Sequence, residues 1–107
     1  CAPCRKEMPD LSRLQEQLGS ENFEVVALSV DRKGLAASRK FLESIDAKAL
    51  ALYVDESAEA IQQLQAIGLP VTILIGKDGK EVGRLTGPAE WDSPDAQKLI
   101  KSVLGKS

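Results

Sequence analysis

The sequence predicts an α/β fold in which helices flank a mixed β-sheet. Helix-type and strand-type apolar patterns alternate along its 107 residues, and a strong hairpin signal, Asp78-Gly79, joins the last two strand segments. The predicted order is helix, strand, helix, strand, helix, strand, strand and helix, which is typical of an α/β sandwich. No repeat, low-complexity tract or linker interrupts this pattern, so we expect residues 1–107 to form a single domain.

The helices are predicted from apolar residues spaced three and four apart. The first begins near Pro3 and ends at Gly19, and the fourth begins at Ser93-Pro94, where a capping side chain precedes a helix-starting proline. Asp55 or Ser57 is the expected cap of the third helix. The residues that mark the helix faces are Met8, Leu11, Leu14 and Leu18, then Leu35, Ser38, Phe41, Leu42 and Ile45, then Ala58, Ile61 and Leu64, and finally Ala96, Leu99, Ile100, Val103 and Leu104.

The strands are predicted from short runs of β-branched and aliphatic residues. They are Phe23–Val30, Leu50–Asp55, Pro70–Ile75 and Glu81–Thr86. The first run is almost wholly apolar between polar neighbours, and it is therefore predicted to be a buried strand.

The composition excludes several classes of function. The net charge is −2, histidine is absent and no basic stripe occurs, so we expect no nucleic-acid partner. No apolar run approaches the ~20 residues that a membrane-spanning helix needs. Two cysteines are too few for a disulfide-scaffold protein.

The chemistry is concentrated in the opening stretch CAPCRKEMP, which holds both cysteines, Cys1 and Cys4. A C-x-x-C pair at a helix start suits thiol–disulfide exchange, because unsatisfied backbone N–H groups and the positive end of the helix dipole favour the thiolate. We expect Cys1 to attack a substrate disulfide and Cys4 to resolve the mixed disulfide. Pro3 stiffens the turn between them.

Two simpler interpretations of the cysteine pair stay open but are disfavoured. A structural zinc site needs about four Cys or His ligands, and this chain supplies no further cysteine and no histidine. A purely structural disulfide across so short a loop would remove little entropy from the unfolded chain. Among the other polar residues, we expect Arg5 and Glu7 to form a solvated first turn and Trp91 to be a packing residue.

Two motifs in the right order resemble a known family. CAPCRKEMP resembles the thioredoxin-fold active site, and more narrowly the C-x-P-C-R-x-E-x-P pattern of the TlpA/ResA/CcmG group of bacterial thiol–disulfide oxidoreductases. The segment GLPVTILIGKDGKEVGRLTG and the following GPAEW are similar to the second signature of that group. The matching residues of the first motif are Cys1, Pro3, Cys4, Arg5, Glu7 and Pro9.

The resemblance implies a thioredoxin-like fold in which Pro70 is a cis-proline facing the C-x-x-C. Leu69 and Pro70, together with Ala2 and Pro3, are the implied substrate-binding residues. The implied fold also has a strand that runs into Cys1, between the strands Phe23–Val30 and Pro70–Ile75, and the sequence lacks it. We therefore expect the domain to be N-terminally truncated, with a hydrophobic strand and an aromatic residue before Cys1 in the full protein.

The resemblance also implies a role and a location. The expected activity is reduction of protein disulfides outside the cytoplasm, for example in cytochrome c biogenesis or copper-site maturation. The expected partners are disulfide-containing substrate proteins and a membrane thiol donor of electrons. The implied protein is bacterial, periplasmic or membrane-anchored, and a monomer when intact. No cofactor is expected beyond the redox-active pair Cys1 and Cys4.

Two alternative functions share this fold. A peroxiredoxin-like peroxidase needs a Thr-x-x-Cys site. Here Cys1 occupies the threonine position, three residues before Cys4, so the sequence disfavours this function. A non-catalytic copper-binding chaperone usually adds a histidine ligand, which this sequence lacks.

Overall fold

The computed structural model describes residues 2–47 and 49–105. Within these residues, four helices and four strands follow one another in the predicted order. The helices are α1 (Ala2–Leu18), α2 (Gly34–Ser44), α3 (Glu59–Gln63) and α4 (Pro94–Leu104). The strands are β1 (Val26–Ser29), β2 (Ala51–Val54), β3 (Val71–Ile75) and β4 (Glu81–Thr86). Cys1, the first predicted catalytic residue, lies outside the described residues.

The described strands form two separate pairs. β1 and β2 pair in parallel, with Val26 opposite Ala51, whereas β3 and β4 form an antiparallel hairpin, with Val71 opposite Thr86. Within the described ranges no strand joins β1 to β3. Among the strands that the structure describes, one edge of β1 and one edge of β3 thus have no partner strand, at the place where the sequence predicts a missing strand.

The core lies between α1, α2, α4 and one face of the β1–β2 pair. It consists of Leu11 and Leu14 of α1, Leu42 of α2 and Ile100 of α4, with Ala47 and Leu50 entering from the segment before β2. Partly buried apolar residues surround this core, and Trp91 is one of them. Burial of these side chains drives the packing of α1, α2 and α4 together.

The prediction that Phe23–Val30 is a buried strand is wrong in its extent and in its burial. The strand covers only Val26–Ser29, and the side chains of Val26 and Leu28 are 50% and 46% exposed. Successive strand residues point to opposite faces of a sheet, and here Ala27 packs against the core while its two neighbours point away from it. The core therefore covers only one face of β1.

The capping of α3 differs in detail from the prediction. Ala58, in a left-handed conformation with φ of 60°, occupies the N-cap position and provides no side-chain cap. Asp55 and Ser57 nevertheless accept hydrogen bonds from the first backbone N–H groups, because the Asp55 carboxylate lies 2.8 Å from the Ala60 nitrogen and the Ser57 hydroxyl 3.2 Å from the Glu59 nitrogen. Both predicted residues thus stabilise the helix start from outside the cap position.

Candidate active site

Cys4 lies in the first turn of α1 and is half-buried. It is disulfide-bonded in this structure. Its predicted neighbours Ala2 and Pro3 are exposed in the same turn, as are Arg5 and Lys6. The described part of the C-x-x-C motif therefore lies at a helix start with an open surface, the arrangement that thiol–disulfide exchange requires.

The predicted cis peptide bond is confirmed at Leu69–Pro70. Pro70 is buried, whereas the Leu69 side chain is 49% exposed. The Pro70 carbonyl accepts a hydrogen bond from the Gly87 backbone N–H at 2.8 Å, which extends the β3–β4 pairing by one step. The chain before this bond is held by Arg84, whose guanidinium donates to the Leu64 carbonyl at 2.8 Å and to Glu81.

Glu7 is the residue whose predicted environment is wrong. Its side chain is 2% exposed, although a solvated first turn was expected. Thr72 Oγ1 and Trp91 Nε1 donate to Glu7 Oε1 at 3.3 and 3.1 Å, and the Ala89 backbone N–H donates to Oε2 at 3.3 Å. Trp91 packs against the core as predicted, and in addition its indole binds this carboxylate.

A signal in the sequence could have revealed the burial of Glu7. Glu7, Leu11, Leu14 and Leu18 follow one another at spacings of four, three and four, so Glu7 lies on the apolar stripe of α1. An acidic residue on such a stripe enters the protein interior, where it needs hydrogen-bond donors. The identity of those donors, Thr72, Ala89 and Trp91, could not be read from the spacing.

The Glu7 contacts bring the two predicted motifs to the same end of the molecule. Glu7 follows Cys4 by about 4.5 Å along the helix axis, at about 1.5 Å per residue. Thr72 follows Pro70 by about 7 Å along the strand direction. Because Glu7 and Thr72 are hydrogen-bonded, the first turns of α1 lie against the start of β3. This hydrogen bond places the helix of Cys4 beside the strand that directly follows Leu69 and Pro70, and Cys1 lies outside the described residues.

Burial raises the pKa of the Glu7 carboxyl above its ordinary value. Loss of water around the charge is the largest cause, and the hydrogen bonds from Ala89, Trp91 and Thr72 offset part of it by stabilising the carboxylate. The nearby Asp10 charge raises the pKa slightly further. The site therefore contains an acid that is less readily ionised than a surface glutamate.

A second set of contacts holds α1 to α4 and to the segment before it. Arg13 forms ion pairs with Asp10 and Asp92, the latter at 2.9 Å, and Gln97 donates to Gln17 at 2.7 Å. Burial and the neighbouring Asp92 charge raise the pKa of Asp10, although Arg13 opposes this effect. These contacts fix the side of α1 that carries Glu7.

Arg5 remains exposed as predicted but is not free of contacts. Its guanidinium lies 5.0 Å from the ring centroid of Phe41 on α2, a cation–π geometry. The start of α1 is therefore held from one side by Phe41 and from the other by β3.

Comparison with known proteins places the chain in a family. The Redoxin family model matches residues 1–100. Thiol-disulfide oxidoreductase ResA of Bacillus thuringiensis subsp. konkukian (strain 97-27) is 33% identical over 103 residues, which are 96% of this chain and 57% of that protein. ResA of Bacillus subtilis (strain 168) is 29% identical over 102 residues, 94% of this chain and 56% of that protein. The chain thus spans little more than half the length of these relatives.

Two solved structures share the fold. A Chlorobium tepidum protein assigned as thiol:disulfide interchange protein DsbE superposes with a TM-score of 0.84 at 26% identity, covering 98% of this chain and 73% of that one. StoA from Bacillus subtilis superposes with a TM-score of 0.73 at 18% identity over 94% of this chain and 72% of that one, a likeness of fold alone. With the matching motifs, these similarities show that the chain belongs to the Redoxin family, as a thioredoxin-like member of the ResA type.

Proposed function

We propose that the protein containing this chain is a thiol–disulfide oxidoreductase that reduces disulfides in other proteins. The Cys1 thiolate attacks one sulfur of the substrate disulfide, and the other substrate sulfur leaves as a thiolate. The Cys4 thiolate then attacks the Cys1 sulfur, which releases the second substrate thiolate and forms the Cys1–Cys4 disulfide. Two electrons pass from the protein to the substrate, so the dithiol itself is the redox group and no other cofactor takes part.

The placement of Pro70 is the observation that carries this proposal. Pro70 directly precedes β3, and Glu7 links that strand to the first turns of the helix that bears Cys4. A proline donates no backbone N–H, so we expect the preceding residue, Leu69, whose side chain is exposed, to be the group that meets an extended substrate segment. Ala2 and Pro3 form the opposite, exposed side of the same proposed surface.

The setting of the reaction is also a proposal. From the resemblance to the extracytoplasmic oxidoreductase group, we propose action outside the cytoplasm of a bacterium, on substrates such as apocytochrome c or copper-site assembly proteins. A membrane thiol protein would return electrons to the Cys1–Cys4 disulfide, and the working unit is a monomer. Within the residues that the structure describes, no helix is both long and apolar enough to cross a membrane.

Insulin reduction by the full-length protein tests the proposed reaction. Cys1→Ser should abolish turnover, since the attacking thiolate is lost. Cys4→Ser should instead accumulate a mixed disulfide with the substrate, because the resolving thiolate is lost. Ser102→Ala, a change of an exposed hydroxyl on α4, serves as a control with unchanged turnover. Full activity of Cys1→Ser would refute the assignment, and rapid peroxide consumption with no insulin reduction would favour the peroxidase alternative.

The direction of electron flow is tested by the reduction potential of the full-length protein against glutathione. A value near or below about −250 mV supports a reductant, whereas a value near the roughly −120 mV of a strong disulfide oxidant would reverse the proposed direction.

A further inference from the structure

Arg84 of β4 has a partly exposed side chain that contacts the end of α3. Its Nη1 group donates to the Leu64 carbonyl at 2.8 Å and lies 3.5 Å from the Gln65 carbonyl. Its Nε and Nη2 groups donate to the two carboxylate oxygens of Glu81, at 2.7 and 2.6 Å. Because a paired guanidinium–carboxylate contact fixes the plane of both groups, Glu81 orients Arg84 toward the end of α3.

The end of α3 is a tight turn that leaves backbone carbonyls to be bound from elsewhere. Gln65 is left-handed with φ of 55°, a conformation that a residue other than glycine keeps only where its surroundings hold it. The Ala66 N–H turns back to the Ile61 carbonyl at 2.9 Å. The last carbonyls of a helix have no partner within it, and Arg84 supplies a donor for the Leu64 carbonyl here.

The segment 66–69 leads from this turn to the cis bond. Its residues form neither helix nor strand. The side chains of Ile67 and Leu69 are 91% and 49% exposed, so packing against the core does little to order them. The conformation of this segment therefore depends on how its two ends are attached.

Both ends of the segment 66–69 are attached to β4 or to the residue that follows it. Arg84 binds the Leu64 carbonyl just before the segment, and the Gly87 N–H binds the Pro70 carbonyl just after it, each at 2.8 Å. The second attachment is a backbone contact that many residue types could make. The first depends on a single side chain, and it is the one that a substitution can remove.

We propose that Arg84 is a positioning residue that orders the segment 66–69 for the docking of an extended substrate chain. Its guanidinium, oriented by Glu81, ties the start of the segment to β4, so that Ile67 and Leu69 meet the substrate in a conformation already formed. A segment that is ordered in advance loses less conformational entropy on binding. The proposal rests on the proposed function, in which Leu69 meets the substrate.

Single-turnover reduction separates substrate docking from the exchange step. The reduced full-length protein is mixed with excess insulin, or with hydroxyethyl disulfide, which has no peptide segment to dock. Arg84→Met should raise the half-saturating insulin concentration about fivefold, because the segment must then be ordered during binding. The limiting rate with insulin and the rate constant with hydroxyethyl disulfide should match those of the wild type.

Three further variants grade the effect. Arg84→Lys keeps the charge but replaces the planar fork with one ammonium group, so its half-saturating insulin concentration should fall between those of wild type and Arg84→Met. Glu81→Gln loses the ion pair but leaves the bond to the Leu64 carbonyl, so it should also give an intermediate value. Arg39→Met removes an exposed guanidinium from α2 and is the matched control, with constants equal to wild type.

Amide exchange measures whether the start of the segment is loosened. In Arg84→Met, the Gln65 and Ala66 N–H groups, which close the end of α3, should exchange about tenfold faster than in wild type. The Gly87 N–H, which binds beyond the segment, should keep its wild-type rate. A general loss of stability would instead speed the exchange of all three.

Equal half-saturating insulin concentrations in wild type and Arg84→Met would overturn the proposal. An equal loss of rate with insulin and with hydroxyethyl disulfide would also overturn it, as would unchanged exchange at Gln65 and Ala66. A wild-type protein that does not reduce insulin would refute the proposed function and, with it, this role of Arg84. Where Arg84→Met does not fold, Arg84→Lys and Glu81→Gln decide by the same comparison.

Discussion

At the scale of the residue, burial separates Glu7 from the other acidic side chains of α1. Glu16 on the same helix is exposed, and Asp10 forms an ion pair with Arg13. Glu7 has no cationic partner among its hydrogen-bond donors, which are a hydroxyl, an amide and an indole. The interior therefore stabilises its charge with dipoles alone, and these do not fully replace water.

The incomplete replacement of water around the Glu7 carboxylate predicts how the free energy of unfolding depends on pH. Because the pKa of folded Glu7 is raised, the folded protein binds more protons than the unfolded chain between about pH 4.3 and that raised value. The free energy of unfolding should therefore fall as pH rises through this window and then level off. Urea denaturation at a series of pH values should reveal the slope, reduced in Glu7→Gln and kept in Glu16→Gln. Parallel curves for wild type and Glu7→Gln would contradict the raised pKa.

At the scale of the element, α4 is a helix whose start is predicted correctly from neighbouring residues in the sequence. Ser93 is its N-cap, the Ser93 hydroxyl accepts from the Ala96 N–H at 3.2 Å, and Pro94 occupies the first turn, all as the sequence indicated. The start of α3 was harder to predict, because a left-handed Ala58 takes the cap position while Asp55 and Ser57 bind from outside it. A helix cap is predictable from sequence when the side chain at the cap position itself accepts the hydrogen bond.

Removal of the α4 cap should destabilise the protein by about 1 kcal/mol. Ser93→Ala leaves the Ala96 N–H without its side-chain acceptor, and α4 carries the buried core residue Ile100. Chemical denaturation of Ser93→Ala beside the surface control Ser102→Ala would measure the loss. An unchanged free energy of unfolding in Ser93→Ala would mean that Pro94 and the packing of Ile100 suffice to start the helix.

At the scale of the whole molecule, the division of the strands into two pairs is the dominant feature. Two-stranded sheets are marginal on their own, and here α2 packs on β2 of the first pair. Glu7 links α1 to β3 by a side-chain hydrogen bond, and Arg13 links it to the loop before α4. These side-chain contacts span a region where the described strands share no backbone pairing.

The open edges predict uneven hydrogen exchange. Along β1, alternate backbone N–H groups point toward β2 and toward the unpaired edge. The second set should exchange at least ~10-fold faster than the first, because none of the described strands offers it a backbone acceptor. Amide exchange measured by NMR on residues 1–107 checks this pattern. Equal protection of the two sets along β1 would contradict this prediction.

The sequence by itself determined the element order and the redox motif, because each depends on residues close together in the chain. The cis-proline was implied only by the resemblance of two motifs to a known family. Apolar spacing is enough to place α1 and α4, and a glycine-rich turn is enough to place the β3–β4 hairpin. Only the tertiary structure decided that Glu7 is buried, which donors bind it and which face of β1 is covered. Those outcomes depend on groups that folding brings together from Thr72, Ala89 and Trp91, and no local pattern around Glu7 encodes which distant donors will replace its lost water.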